Sequence, residues 1–524
     1  MTPEPATQVV LPGSADRHLK RIALPAWIPI LVAALLVRMP GLASKPLWYD
    51  EAFAVLLSSK GPAAMVAATL TTDEGIAADV HPLGYYTLLW AWGRAFGTGP
   101  LAMRTLSFII GMVLVVVGYV FARASLGARL AAWVGWLLAL SPFQVHYAQE
   151  VRMYGLLALE LISAAALFWA AITRGNWWRW VGFAALAAAA QYTHALAAMF
   201  LIPLALIPLY LRKWNAVRAT LLAGVLALVL YAPWLLRLPT QIARIGQAYW
   251  IPIPGPADLV RTLVMYLGGS PLATWALPIV LFSQVLVIGL GGWALLKGRS
   301  SDNPNTAIAG WSAYLAFAPL LLMFVVSQRY PVYLDRAMLP AGVAFLFGLA
   351  WVLGGEQLPQ KFRWTAVAAV ALSFGVGLFS YWTYRGFPYA PYDQIVAYIG
   401  EHKTEGETVL HSNKLTAFPA TYYAPELDQA YLADPPGSGS DTLAPATQEV
   451  LGLMAQADAP TAIGDSDGVW FVIFRREIED YAALGVPQHP ALAWLRDNFS
   501  EEAVTPFGDA DLYHFQGRHA GLDT

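Results

Sequence analysis

Two adjacent carboxylates, Asp50 and Glu51, sit inside the stretch LWYDEAFAV at positions 47–55, wedged among Trp48, Tyr49 and Phe53. A carboxylate beside an apolar run can serve as a general base or hold a divalent cation. The plainer reading is a helix start, with Asp50 capping a helix that begins at Glu51. Three further groups favour chemistry. The stretch Asp79-Val80-His81-Pro82-Leu83-Gly84-Tyr85-Tyr86 sets an Asp and a His beside a proline suited to open a helix. A second crowds His146, Tyr147, Gln149, Glu150, Arg152 and Tyr154 at the junction of two apolar runs. A third brings Asp335 and Arg336 to the start of another run, and Arg38 closes the first one. Arginines in such places suit a phosphate, and a lipid phosphate is the one found at that depth. Asp79, His81 and Glu150 leave a divalent metal ion open as a cofactor.

The elements that must position these groups are membrane helices. Of 524 residues, 57% are hydrophobic and 13% charged, against about 45–50% and about 25% in soluble chains. Many apolar stretches reach the length of a membrane-spanning helix. The net charge of -2 gives no sign of a general affinity for nucleic acid, and the absence of cysteine excludes disulfides and thiol catalysis. About eleven spans are predicted, near 22–39, 103–122, 129–144, 151–172, 178–192, 195–211, 218–236, 273–296, 307–326, 335–354 and 364–384.

One set of short loops carries Arg17, Lys20, Arg21, Arg123, Arg129, Arg174, Arg179, Arg212, Lys213, Arg218, Lys297, Arg299, Lys361 and Arg363. By the positive-inside pattern this set is cytoplasmic. The N-terminal tail 1–21 is then cytoplasmic and the C-terminus outside. The long segments 40–102 and 237–272 are then both outside; the first is predicted to hold short helices along the membrane surface over 51–70 and 85–96, and the second another over 257–268. From about Arg385 the long apolar runs stop. Residues 385–524 read as a small outer α/β domain, with strands at 408–411 and 469–474, a helix over 492–499 and a loop at 435–440. Residues 22–384 are left as the membrane-embedded catalytic domain.

The blocks W-Y-D-E-A (48–52), H-P-L-G-Y-Y (81–86) and Y-A-Q-E-V-R-M-Y (147–154) resemble the GT-C membrane glycosyltransferases, relatives of protein O-mannosyltransferase and of the lipid A aminoarabinose transferase. The likeness runs in order from about residue 20 to 350. It implies a GT-C-like polytopic α-helical membrane protein of the cell membrane that takes a sugar from a polyprenyl-phosphate-linked donor on the extracytoplasmic face. In such enzymes an acidic residue of the first outer loop acts at the acceptor, and Asp50 stands there with Glu51 beside it. The second block of relatives often carries two prolines, where this chain has Pro82-Leu83.

The expected reaction is inverting transfer of the sugar to a hydroxyl of a protein, lipid or glycan acceptor. Asp50 is the expected base, with Glu51 beside it as a second catalytic carboxylate. Arg152, Arg336 and Arg38 are expected on the donor phosphate. Asp79, His81, Tyr85, Tyr147, Glu150 and Tyr154 support or contact substrate, with membrane lipids around them. Two rivals remain at this level: a polymerase or ligase using a diphosphate-linked donor, and a lipid or solute transporter without transferase activity. Transporters carry their ionisable groups near the bilayer midplane, whereas here the span middles are clean.

Overall fold

In the computed structural model, the residues described are 25–246, 251–298, 304–434 and 442–519. The N-terminal tail and the loop 435–440 fall outside them. A backbone in hydrocarbon must satisfy its own hydrogen bonds, and the apolar runs accordingly form helices. In chain order these are α1 (Trp27–Arg38), α2 (Tyr49–Ser59), α3 (Pro62–Leu70), α4 (Gly84–Phe96), α5 (Pro100–Leu126), α6 (Ala128–Leu140), α7 (Pro142–Tyr147), α8 (Tyr154–Arg174) and α9 (Trp177–Thr193). Then come α10 (Ala197–Tyr210), α11 (Trp214–Leu235), α12 (Leu238–Gly246), α13 (Pro256–Gly268), α14 (Leu277–Gly298), α15 (Pro304–Ser327), α16 (Leu339–Gly354) and α17 (Gln360–Thr383). Every span predicted from the sequence overlaps one of them. Among the described residues, seven helices are long and apolar enough to cross a membrane, and α1, α6 and α10 are shorter apolar helices.

The sequence-predicted surface helix over 51–70 is two helices. Gly61 takes φ +90°, a conformation only glycine adopts freely, and Pro62 opens α3 at its first turn. The hairpin β1 (Thr72–Asp73) and β2 (Ile76–Ala77) then leads to Asp79 and His81. The predicted third span is likewise divided, because Ser141 is extended and Pro142 starts the short helix α7. At the centre of the bundle lies α16, buried along nearly its whole length, as its all-round apolar sequence requires.

Past α17 the chain forms α18 (Tyr392–His402), α19 (Lys414–Tyr423), α20 (Pro445–Leu451), α21 (Ala459–Ile463), α22 (Arg475–Ala483) and α23 (Pro490–Asn498) around a mixed sheet. Its strands are β3 (Glu407–His411), β4 (Gln429–Leu432), β5 (Ala455–Gln456), β6 (Gly468–Phe474), β7 (Phe499–Phe507) and β8 (Ala510–Arg518), in the order β5-β4-β3-β6-β8-β7. β3 pairs in parallel with β4 and β6, whereas β8 runs antiparallel to β6. The GVWFVIF run of β6 is buried at every position, as a central strand covered on both faces must be.

The sheet region docks on α2 and α3. Phe418 of α19 is fully buried against Tyr49 and Phe53, with ring centroids at 5.6 and 6.4 Å. Leu47 N donates to Tyr423 Oη at 2.9 Å, and Thr447 Oγ1 donates to the Ala68 carbonyl at 2.8 Å.

Candidate active site

Asp50 lies in the first turn of α2. Its Oδ2 is 3.1 Å from Arg336 Nη1 and 3.7 Å from Arg152 Nε. Arg152 also donates from Nη1 to the Asp50 carbonyl at 3.3 Å. Arg152 belongs to the turn between α7 and α8. That turn packs tightly on α5, since a Cβ added at Gly111 would stand 2.5 Å from Ala148 Cβ. Arg336 comes from the 3-10 turn Asp335–Met338 ahead of α16, and its guanidinium lies 5.4 Å from the centre of the Tyr154 ring. Burial pushes the Asp50 carboxyl up, but Arg152 and Arg336 outweigh it, so the group is held below the ordinary carboxylate range and stays ionised.

This cluster forms one wall of a cavity of about 810 Å³. Asp79 and His81 face the same space. His81 Nδ1 donates to Asp79 Oδ1 at 2.9 Å, which leaves Nε2 for a substrate. Burial raises the Asp79 carboxyl, and His81 brings it back below its usual value by charge and hydrogen bond.

The remaining predicted residues divide sharply. Glu51, one position from Asp50, is 1% exposed and does not reach the cavity. It receives Arg104 Nε at 2.9 Å, Arg104 Nη2 at 2.6 Å and Val151 N at 3.0 Å. Arg104 also donates to the Lys45 and Pro46 carbonyls at 2.5 and 3.0 Å. Glu51 is thus the centre of a structural knot, and the expectation of a second catalytic carboxylate is corrected.

Arg38 is also corrected. It is fully buried and donates to the carbonyls of Ala34, Leu138 and Ala139, at 3.2, 3.0 and 2.7 Å. It caps the exposed carbonyl ends of α1 and α6, and no phosphate can reach it. Tyr85 and Tyr147 are packing residues: Tyr85 sits edge-on to Tyr86, and Tyr147 stacks on His146. Tyr154 is buried under the Arg336 guanidinium. Glu150 is 4% exposed and bound to Trp48. Among the described residues, no three His, Asp or Glu side chains gather to hold a metal ion. Asp79 and His81 pair with each other, whereas Glu150 lies outside the cavity wall, so they do not form the three-ligand set left open by the sequence.

The cavity also exposes residues that sequence reasoning missed. Arg244 and Arg261 line it from α12 and α13, with Arg261 3.1 Å from Asp258. Their only sequence signal was lying in the predicted outer segment 237–272. Asn413, Lys414 and Glu477 line it from the sheet region. Lys414 Nζ is 3.9 Å from Asp434 Oδ2 and 5.7 Å from the centre of the Tyr49 ring. Nothing near residue 414 in the chain announces a partner near residue 50.

A family model described as dolichyl-phosphate-mannose-protein mannosyltransferase matches residues 80–236. That range contains His81, Glu150 and Arg152. No curated protein sequence matches the chain. Among solved structures, ArnT from Cupriavidus metallidurans bound to undecaprenyl phosphate superposes with a TM-score of 0.59 at 17% identity, covering 94% of this chain and 98% of that one. The apo form of the same protein gives 0.58 at 16%, covering 93% and 97%. The chain has the GT-C fold. An oligosaccharyltransferase from Archaeoglobus fulgidus, in complex with Zn and sulfate, extends the GT-C likeness at a TM-score of 0.51 and 12% identity, covering 93% of this chain and 73% of that one. The GT-C scaffold and the apolar helices make this an integral membrane protein.

Proposed function

We propose that this protein is an inverting glycosyltransferase that moves a sugar from a polyprenyl-phosphate-linked donor to an acceptor hydroxyl on the extracytoplasmic face of the membrane. The observation that carries the reading is Asp50, bracketed by Arg336 and Arg152 at the wall of a large cavity. The undecaprenyl phosphate of the ArnT structure and the mannosyltransferase description of the matching family support the donor class. The acceptor oxygen attacks the anomeric carbon and its proton passes to Asp50. The bond from that carbon to the phosphate oxygen breaks on the opposite face, and polyprenyl phosphate leaves with the electron pair.

The ion pairs give this sequence an internal logic. A carboxylate held by two guanidiniums is a poor base. A donor phosphate arriving at Arg336 and Arg152 draws the same guanidiniums toward itself through charge-assisted hydrogen bonds. Asp50 then regains proton affinity only when the donor is in place. Arg244 and Arg261 add positive charge around the phosphate, while Asn413, Lys414 and Glu477 form the wall facing the acceptor.

The test is release of free polyprenyl phosphate from a labelled lipid-linked sugar by the purified protein, with phosphate-linked and diphosphate-linked donors compared. Asp50→Asn keeps the size and removes the base, so turnover should fall about 10²–10⁴-fold. Undiminished turnover in Asp50→Asn, or turnover with the diphosphate-linked donor alone, would overturn the reading.

A further inference from the structure

Three carboxylates crowd this part of the protein, and two of them have arginines. Asp50 has Arg336 and Arg152, and Glu51 has Arg104. Glu150 has no Arg or Lys within ion-pair distance among the described residues; its nearest basic group is His146, with Nε2 3.6 Å from Oε2. Its Oε2 is buried and accepts no hydrogen bond, while its Oε1 accepts the Trp48 indole N–H at 2.9 Å. Trp48 lines the cavity two residues before Asp50. It stands just outside α2 with extended backbone, φ −95° and ψ 175°, so the helix does not orient its ring. The ring is fixed instead by the bond to Glu150 and by an edge-on contact with Tyr389 at 6.2 Å.

We propose that Glu150 is a positioning residue that works as a hydrogen-bond acceptor and not as a charge, locking the Trp48 indole against the cavity wall as the platform for the donor sugar. This inference rests on the sugar-transfer reading. An indole is a wide, rigid apolar surface. Placed beside the attacking base, it packs against the C–H face of a pyranose and leaves the hydroxyl edges to polar groups. Free to swing, the ring would sweep the space the sugar must occupy.

The surroundings agree with an uncharged acid. Burial, then the charges of Glu51 and Asp50 on α2, raise Glu150 to about 8, with Arg336 and Arg152 opposing them. The other groups facing it are Lys45 from the loop before α2, His146 and Tyr147 of α7, Tyr381 of α17 and Tyr389. Burial lowers His146 to about 3, so it too is neutral. A glutamine would retain the acceptor oxygen and add no charge.

The experiment measures donor KM and kcat for Glu150→Gln, Glu150→Ala, Trp48→Phe and the double variant Glu150→Ala/Trp48→Phe. Glu150→Gln is expected within about twofold of wild type at pH 7, because one carbonyl acceptor replaces another. Glu150→Ala and Trp48→Phe should each raise donor KM about tenfold, the effect of losing about one buried hydrogen bond, with a smaller change in kcat. The double variant should be no worse than either single one, since both remove the same bond. On the alkaline side, wild type should lose activity through about pH 8, as a third anion competes with Asp50 for its arginines; Glu150→Gln should lack that limb. Trp48→Phe keeps the site testable even where Glu150→Ala fails to fold.

A Glu150→Gln enzyme as inactive as Asp50→Asn would overturn the proposal, because charge would then be required. Multiplying effects in the double variant would overturn it too. A wild-type enzyme that releases no polyprenyl phosphate would remove the sugar-transfer reading and this one with it. An active wild type with an inactive Glu150→Gln removes only this one.

Discussion

Asp50 and Glu51 are neighbours in the chain, both acidic and both paired with arginine, yet they belong to different worlds. Successive residues of an α-helix point about 100° apart. Asp50 therefore turns toward a cavity, with contacts of 3.1 and 3.7 Å, while Glu51 turns into the bundle and takes a closer fork from Arg104 at 2.6 and 2.9 Å. The closed pair is also bonded to Val151 N and, through Arg104, to the loop carbonyls of Lys45 and Pro46. What separates a functional ion pair from a structural one is the access of a third charge. Asp50 and its arginines line a cavity, so the proposed donor phosphate has a way in, whereas Glu51 and Arg104 are closed off in the interior.

The widest separation between the two should come from removing the carboxylates one at a time. Asp50→Asn should lower turnover about 10²–10⁴-fold and leave the thermal unfolding temperature in detergent unchanged. Glu51→Ala should do the reverse. Stranding the Arg104 charge in the interior should cost about 3–5 kcal/mol in stability, read by denaturation, while molecules that still fold keep the wild-type donor KM. If Glu51→Ala were stable and inactive, the comparison would be broken.

That contrast could not have been read from the chain. The helices could be, because a span needs an unbroken apolar run and this sequence has clean ones. The convergence of Asp50, Arg152 and Arg336 could also be anticipated, because each stands at the end of such a run. Arg104 could not, since in PLAMRTL it looks like any arginine at a membrane boundary and its partner lies 53 residues away. Gly61 divides a helix that apolar character alone would have kept whole. Strands β7 and β8 were missed because their charged and polar residues interrupt the apolar signal, and the strands are completed by pairing with each other and with β6.

A smaller effect would sharpen the picture of the open pair. Arg336→Ala removes a cation from Asp50, so the carboxyl should rise toward its ordinary value. The acid limb of the activity profile should move up in pH, because the ionised form is needed and is now lost sooner as pH falls. Donor affinity should fall with it by about 10–100-fold, as for one lost charge-assisted contact. Arg152→Ala should act in the same direction. Activity whose acid limb did not move in either variant would argue against the ion pairs governing Asp50.

The smallest change is expected at Arg38. Arg38→Met should lower stability by about 1–3 kcal/mol through the carbonyls it leaves bare, with donor KM and the pH profile unaltered. A tenfold rise in donor KM would return Arg38 to the phosphate site.

The seat of Phe418 between Tyr49 and Phe53 has one more consequence. The helix that bears Asp50 has its aromatic flank covered by a segment made some 370 residues later. Until the ribosome has delivered that segment, the nascent protein holds a membrane bundle whose working edge is unsupported. If Asp50 is the base proposed above, sugar transfer is expected only once α19 has settled onto α2.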